Sequence, residues 1–98
     1  MTPVAAPRPE DRVIAKPDVL CKELSGESVL LDLETETYFG LNETGARLWT
    51  LLTTSPSIGR AVATMLDEYD VPPDELERDA RELVQELLDR GLVRLGHA

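Results

Sequence analysis

A chain of 98 residues with 19 acidic against 10 basic side chains, a formal charge of −9, has room for one domain and one small core, not for a large enclosed active-site cavity. Its 42% apolar and 30% charged residues exclude a disordered chain, and no apolar run approaches the ~20 residues that span a bilayer. One cysteine, Cys21, and one histidine, His97, exclude an intrachain disulfide and a zinc site of the usual four-ligand kind.

Residues 1–12 carry three prolines and no periodic apolar pattern, and read as a disordered tail ahead of a domain over 13–98. The start, MTPVAAPRPEDR, lacks a basic region followed by an apolar stretch, so a cytoplasmic protein is expected. Val19 to Leu24 and the Val- and Leu-rich Ser28 to Leu33 flank the turn dipeptide Ser25-Gly26, which predicts a hairpin. Glu34-Thr35-Glu36 can turn the chain again into the β-prone Thr37 to Leu41, giving a three-stranded antiparallel meander. Alternation places Phe39 and Leu41 toward the core and Tyr38 and Gly40 on the other face.

The remainder is helical by periodicity. Asn42 can cap a first helix over about Glu43 to Leu52, with Leu48, Trp49 and Leu52 at helical spacing. Ser57 can cap a second, whose stripe is Ile58, Ala61, Val62, Met65, Leu66 and Tyr69. Pro72-Pro73 ends it; Pro73 suits the first position of a third helix, with Asp74 and Glu75 where the helix dipole favours acids. Leu76, Ala80, Leu83, Val84, Leu87 and Leu88 form the third stripe, Gly91 the left-handed terminator, and Leu92 to Leu95 a final short strand. The result is an α+β domain with one core around Trp49, in the outline of a winged helix-turn-helix: a three-stranded antiparallel sheet followed by three helices.

The acids are concentrated. Residues 67–79 hold seven against Arg78 alone, and 27–43 add Glu27, Asp32, Glu34, Glu36 and Glu43 with no base. Solvated surface explains such runs in general; they also repel phosphate and attract basic segments within about 8 Å at physiological salt. The third helix offers Arg78, Arg81, Gln85 and Arg90 among its acids, so DNA binding is opposed by the summed field. No nucleophile–base pair can be assembled around Cys21 or a serine when His97 sits beside the end, and no glycine-rich phosphate loop is present. No catalytic residue, cofactor or metal is expected. Peptide capture has a mechanism: a meander leaves its third strand at a sheet edge, where an extended peptide can pair with free backbone groups. An edge that serves only structure, or only dimerisation, stands beside it.

The run Val29-Leu30-Leu31-Asp32, the segment Thr37-Tyr38-Phe39-Gly40-Leu41-Asn42 with Thr44-Gly45-Ala46-Arg47-Leu48-Trp49, the helix end Leu66-Asp67-Glu68-Tyr69-Asp70-Val71, and Asp79 to Leu88 before Arg90-Gly91-Leu92-Val93 together resemble the PqqD-like family of RiPP precursor peptide recognition elements. The resemblance spans about Pro17 to Leu95. It implies a winged-helix protein without enzymatic activity that takes a precursor's leader peptide as a fourth strand, antiparallel to the third, in a cleft against the third helix. Carried onto this chain, it gives Thr37, Tyr38, Phe39, Gly40 and Leu41 the backbone ladder, and Arg78, Arg81, Val84, Gln85 and Leu88 the helix side of the cleft. The short start and the Ser25 to Trp49 segment look more like lasso-peptide members, whose partners are a leader peptidase and an ATP-dependent cyclase. The alternative is a quinone-cofactor member serving a radical SAM enzyme. The acidic runs predict an extended, basic leader, with no nucleic acid or membrane partner.

Overall fold

A computed structural model describes residues 7–25 and 27–96, with strands β1 (Arg12–Ala15), β2 (Val19–Leu24), β3 (Glu27–Asp32) and β4 (Thr37–Leu41), helices α1 (Glu43–Thr54), α2 (Ile58–Glu68) and α3 (Pro73–Asp89), and strand β5 (Val93–Gly96). The α+β class is as expected, with the meander β2-β3-β4 preceding the three helices. One strand is new. β1 pairs antiparallel with β5, Val13 opposite Leu95 and Ala15 opposite Val93, so the two ends of the domain close on each other.

Two residues within the expected tail bond to α2: the Ile58 amide donates to the Asp11 carbonyl at 2.8 Å and the Gly59 amide to the Pro9 carbonyl at 2.9 Å. The first amides of a helix have no partner within it, and the N-terminal segment supplies two for α2. A Cβ at Gly59 would lie 3.3 Å from the Pro9 carbonyl oxygen, which explains the glycine at that approach. Residues 1–6 of the expected tail, Gly26 of the expected turn and His97 lie outside the described residues.

The caps are those read from the sequence. The Asn42 Oδ1 accepts from the Gly45 amide at 2.7 Å and the Ser57 Oγ from the Arg60 amide at 3.2 Å. α1 runs two residues past its expected end, and the hydroxyls of Thr53 and Thr54 donate to the carbonyls of Trp49 and Thr50 four residues back. α3 ends as Gly91 takes φ +70°, with Gly91 and Leu92 amides donating to the carbonyls of Leu88 and Leu87, the paired bonds of a Schellman stop. All three helices bury their stripes with Val13, Leu30 and Leu41 in one core that includes Trp49.

β3 begins at Glu27 rather than Ser28 and ends at Asp32, one residue before the expected Leu33, which is exposed and donates its amide to the Asp18 carbonyl. Asp32 is buried, and its carboxylate accepts from the amides of Glu34 (3.0 Å) and Thr35 (3.4 Å) and from the Lys16 ammonium (3.2 Å). It thereby ties the β3–β4 turn to the segment after β1. Burial pushes its carboxyl up, but the Lys16 bond and the two backbone amides outweigh burial and hold it below the usual carboxylate range. A depressed carboxyl contributes stability that is complete above the unfolded value near ~3.9 and is lost as pH falls through the lower folded value. Acid unfolding followed by the fluorescence of buried Trp49 should therefore steepen below about pH 4, and Asp32→Asn should be less stable at neutral pH with a shallower acid limb.

Candidate functional site

β4 is last in the order β2-β3-β4, and because β5 pairs with β1, no strand covers its outer edge among the described residues. Which backbone groups face outward follows from the bond from the Leu33 amide to the Asp18 carbonyl, 3.0 Å. That bond brackets the pair Val19–Asp32, so Asp32 turns its own amide and carbonyl away from β2, toward β4. Asp32 lies opposite Thr37, so Thr37, Phe39 and Leu41 bond to β3. Tyr38 and Gly40 alone within β4 direct their amides and carbonyls to the open edge. Of the five residues expected in the ladder, these two hold the free donors and acceptors.

Side chains alternate in the same way. Leu41 is buried, Phe39 packs against the core from the helix side, and Tyr38 is 73% exposed on the outer face. Along the helix side of the edge runs a groove of about 400 Å³ between β4, the start of α1 and α3. Phe39, Leu41 and Leu48 wall it from one side; α3 contributes Leu76, Asp79, Leu83 and Glu86, a row stepping three, four and three residues. The Arg90 guanidinium lies over the Phe39 ring, 4.9 Å from its centre, and links the end of α3 to β4.

The α3 residues expected in the cleft are elsewhere. Val84 is fully buried in the core, and Leu88 packs against it half-buried. The Gln85 side chain donates to Asp89 at 3.0 Å, and Arg78 is exposed. Arg81 lines a separate cavity of about 290 Å³ with Pro7, Pro9, Ile58 and Val62, toward α2 and the N-terminal segment. At roughly 100° per residue these five sit about 100–160° around the helix from Leu83, which faces β4. The missed row was visible as spacing: Leu76 and Leu83 edge the apolar stripe, with Asp79 and Glu86 beside them at i+3.

The acidic runs also divide. Asp32 is consumed by Lys16 and the turn, while Glu27, Glu34, Glu36 and Glu43 are exposed. Glu68 makes a bidentate pair with Arg47, at 2.8 Å through Nε, joining α1 to α2; that bond holds the Glu68 carboxyl below its usual range. Asp79 lies in the groove itself, joined there by Glu86 from outside the two runs. Among the described residues no three His, Cys, Asp or Glu side chains converge as a metal centre requires, and no helix is long and apolar enough to cross a membrane. The arrangement can bind an extended chain by its backbone while reading alternate side chains.

A family model described as coenzyme PQQ synthesis protein D (PqqD) matches residues 27–93. Among solved structures, the chain is similar to TbiB1 in complex with the TbiA(beta) leader peptide, with 34% identity and a TM-score of 0.75 over 87% of this chain and 98% of that one. It is also similar to a lasso peptide synthetase B1 complexed with the leader peptide, with 28% identity and a TM-score of 0.73 over the same shares. Comparison with curated proteins gives no match.

Proposed function

The chain belongs to the PqqD family, and from that premise we propose that it is a non-enzymatic recognition protein that captures the leader of a ribosomal precursor peptide as a strand beside β4. The observation that carries the reading is the open edge: Tyr38 and Gly40 hold unpaired backbone groups beside a groove with apolar walls. A leader antiparallel to β4 would send alternate side chains into the groove, toward Leu76, Leu83 and the two acids. Asp79 and Glu86 favour a basic leader, and such rim charges act mainly on association rate and register. The backbone of Thr37 to Leu41 frames the ladder, with Tyr38 and Gly40 as its bonding members. Arg78, Arg81, Val84, Gln85 and Leu88, expected on the helix side of the cleft, do not line this groove.

The lasso pathway is the preferred setting because both similar structures are complexes with leader peptides, one of them a lasso peptide synthetase B1. There the bound precursor would pass to a leader peptidase and an ATP-dependent cyclase. The family's own description favours a second reading, a peptide chaperone for a radical SAM enzyme in quinone-cofactor synthesis. Whether the peptide-loaded protein binds a leader peptidase or a radical enzyme separates the two.

The test of strand capture is amide hydrogen exchange with the TbiA(beta) leader peptide as probe. Binding should slow exchange at Tyr38 and Gly40 and leave β2, the opposite edge, unchanged. Association should slow as added salt shortens the Debye length toward ~3 Å. No binding, or protection confined to β2, would exclude the reading.

A further inference from the structure

The row that α3 turns toward β4 continues past Glu86. Leu76, Asp79, Leu83 and Glu86 step three, four and three residues, and Arg90, the C-cap of α3, follows four residues on with helical backbone angles (φ −89°, ψ −1°). Its guanidinium lies over the ring of Phe39, which is itself a wall of the groove. Asp79 belongs to the other end: with Leu76 it lines a smaller cavity against Thr44, in α1 just past β4. The charges along the groove therefore run acid, acid, base from the Leu41 end of β4 toward the Thr37 end. Arg90 also carries a charge that nothing neutralises. Lys16 and Arg47 are paired with Asp32 and Glu68, whereas Arg90 makes no ion pair among the described residues, in a chain whose acids outnumber its bases 19 to 10. Glu86, one turn earlier, does not pair with it; the guanidinium sits on Phe39 instead. A ring face attracts a cation without neutralising it, so the guanidinium keeps its charge and its N–H donors for an acceptor.

We propose that Arg90 is a specificity residue that takes a carboxylate side chain of the captured peptide, and that with Asp79 and Glu86 it makes the groove a reader of charge order. The inference rests on strand capture at β4. With Tyr38 and Gly40 as the bonding members, leader residues opposite Leu41, Phe39 and Thr37 point to the helix side, two residues apart. From first to last these positions span about 14 Å of strand, against about 16 Å of helix from Asp79 to Arg90, so the two series run side by side. In a leader antiparallel to β4 the position opposite Thr37 is the C-terminal one. The substrate class is thus a leader with a basic residue first and an Asp or Glu about four residues later. The carboxylate can take two parallel bonds from the guanidinium, which fixes register as well as charge. The same leader entering in the opposite direction would set like charges against each other.

The experiment titrates the TbiA(beta) leader peptide, with Glu and then Lys placed singly at each position, against wild type and variants at Arg90 and Asp79. For wild type, one position should prefer Glu over Lys by about tenfold. That preference should invert in Arg90→Glu, vanish in Arg90→Gln and persist in Arg90→Lys, a pattern that loss of folding cannot produce. Asp79→Lys should leave it unchanged and instead invert a preference for Lys at a position nearer the N-terminus of the peptide. A residue that only braces Phe39 would, when replaced, weaken every peptide alike and change no preference. That result, or an Arg90-dependent position lying N-terminal to the Asp79-dependent one, would overturn the proposal while leaving capture at β4 intact. Failure of wild type to bind any peptide of the set removes strand capture and charge reading together.

Discussion

Replacing Leu87 with alanine is expected to cost about 2–5 kcal/mol, a large part of the roughly 5–15 kcal/mol that holds a domain of this size together. Leu87 is fully buried on the face of α3 that meets the core, and its carbonyl also receives the Leu92 amide in the helix stop. The truncation removes apolar contact and leaves a cavity that the closely packed surroundings, Leu30, Leu52, Met65 and Val84 among the core, can close only in part. Urea denaturation should show the midpoint falling sharply with little change in slope. Leu20→Ala is the matched control: Leu20 is 52% exposed on the outer sheet face, and its truncation should change stability by less than about 0.5 kcal/mol.

The helices were legible because each carries its information locally. Asn42 and Ser57 sit one residue before amphipathic stripes, and Pro73 and Gly91 bracket the third, so caps and periodicity agree within each segment. β1 was not legible for the opposite reason. Arg12–Ala15 is four residues long, follows a proline-rich run, and is stabilised by β5 about 80 positions later, a pairing that no local pattern encodes. The anchoring of Pro9 and Asp11 on the first amides of α2 is equally non-local.

On α3 the periodicity shows which residues form the buried stripe, but not which flank of it meets the sheet. Val84 belongs to the centre of the stripe and is therefore core, while Arg81 lies on the flank toward α2. The flank toward β4 carries Asp79 and Glu86. The overall charge likewise says less than its distribution: Asp32 and Glu68 are committed to Lys16 and Arg47, so the acids left to meet a peptide are those of the groove and the exposed turns.

The sharpest consequence of the β4 geometry is a two-residue period in proline substitutions. The amides of Tyr38 and Gly40 face the open edge, where proline is tolerated by a sheet; the amide of Phe39 bonds to β3, where it is not. Gly40→Pro and Tyr38→Pro should therefore fold, melting close to wild type, yet each removes the β4 amide that faces the captured strand and leaves a peptide carbonyl facing no partner. An unpaired acceptor of that kind costs about 1–3 kcal/mol, so binding of the TbiA(beta) leader peptide should weaken by roughly 5- to 150-fold. Phe39→Pro should do the reverse at the level of cause, losing stability first by breaking a β3 bond and the Arg90 contact, and binding only as a result. Arg81→Glu, on the far side of α3, should alter neither. Calorimetric titration beside thermal melts distinguishes these outcomes. Undiminished affinity in folded Gly40→Pro and Tyr38→Pro variants would mean that the peptide does not pair with this edge, because no other route supplies those carbonyls with a donor.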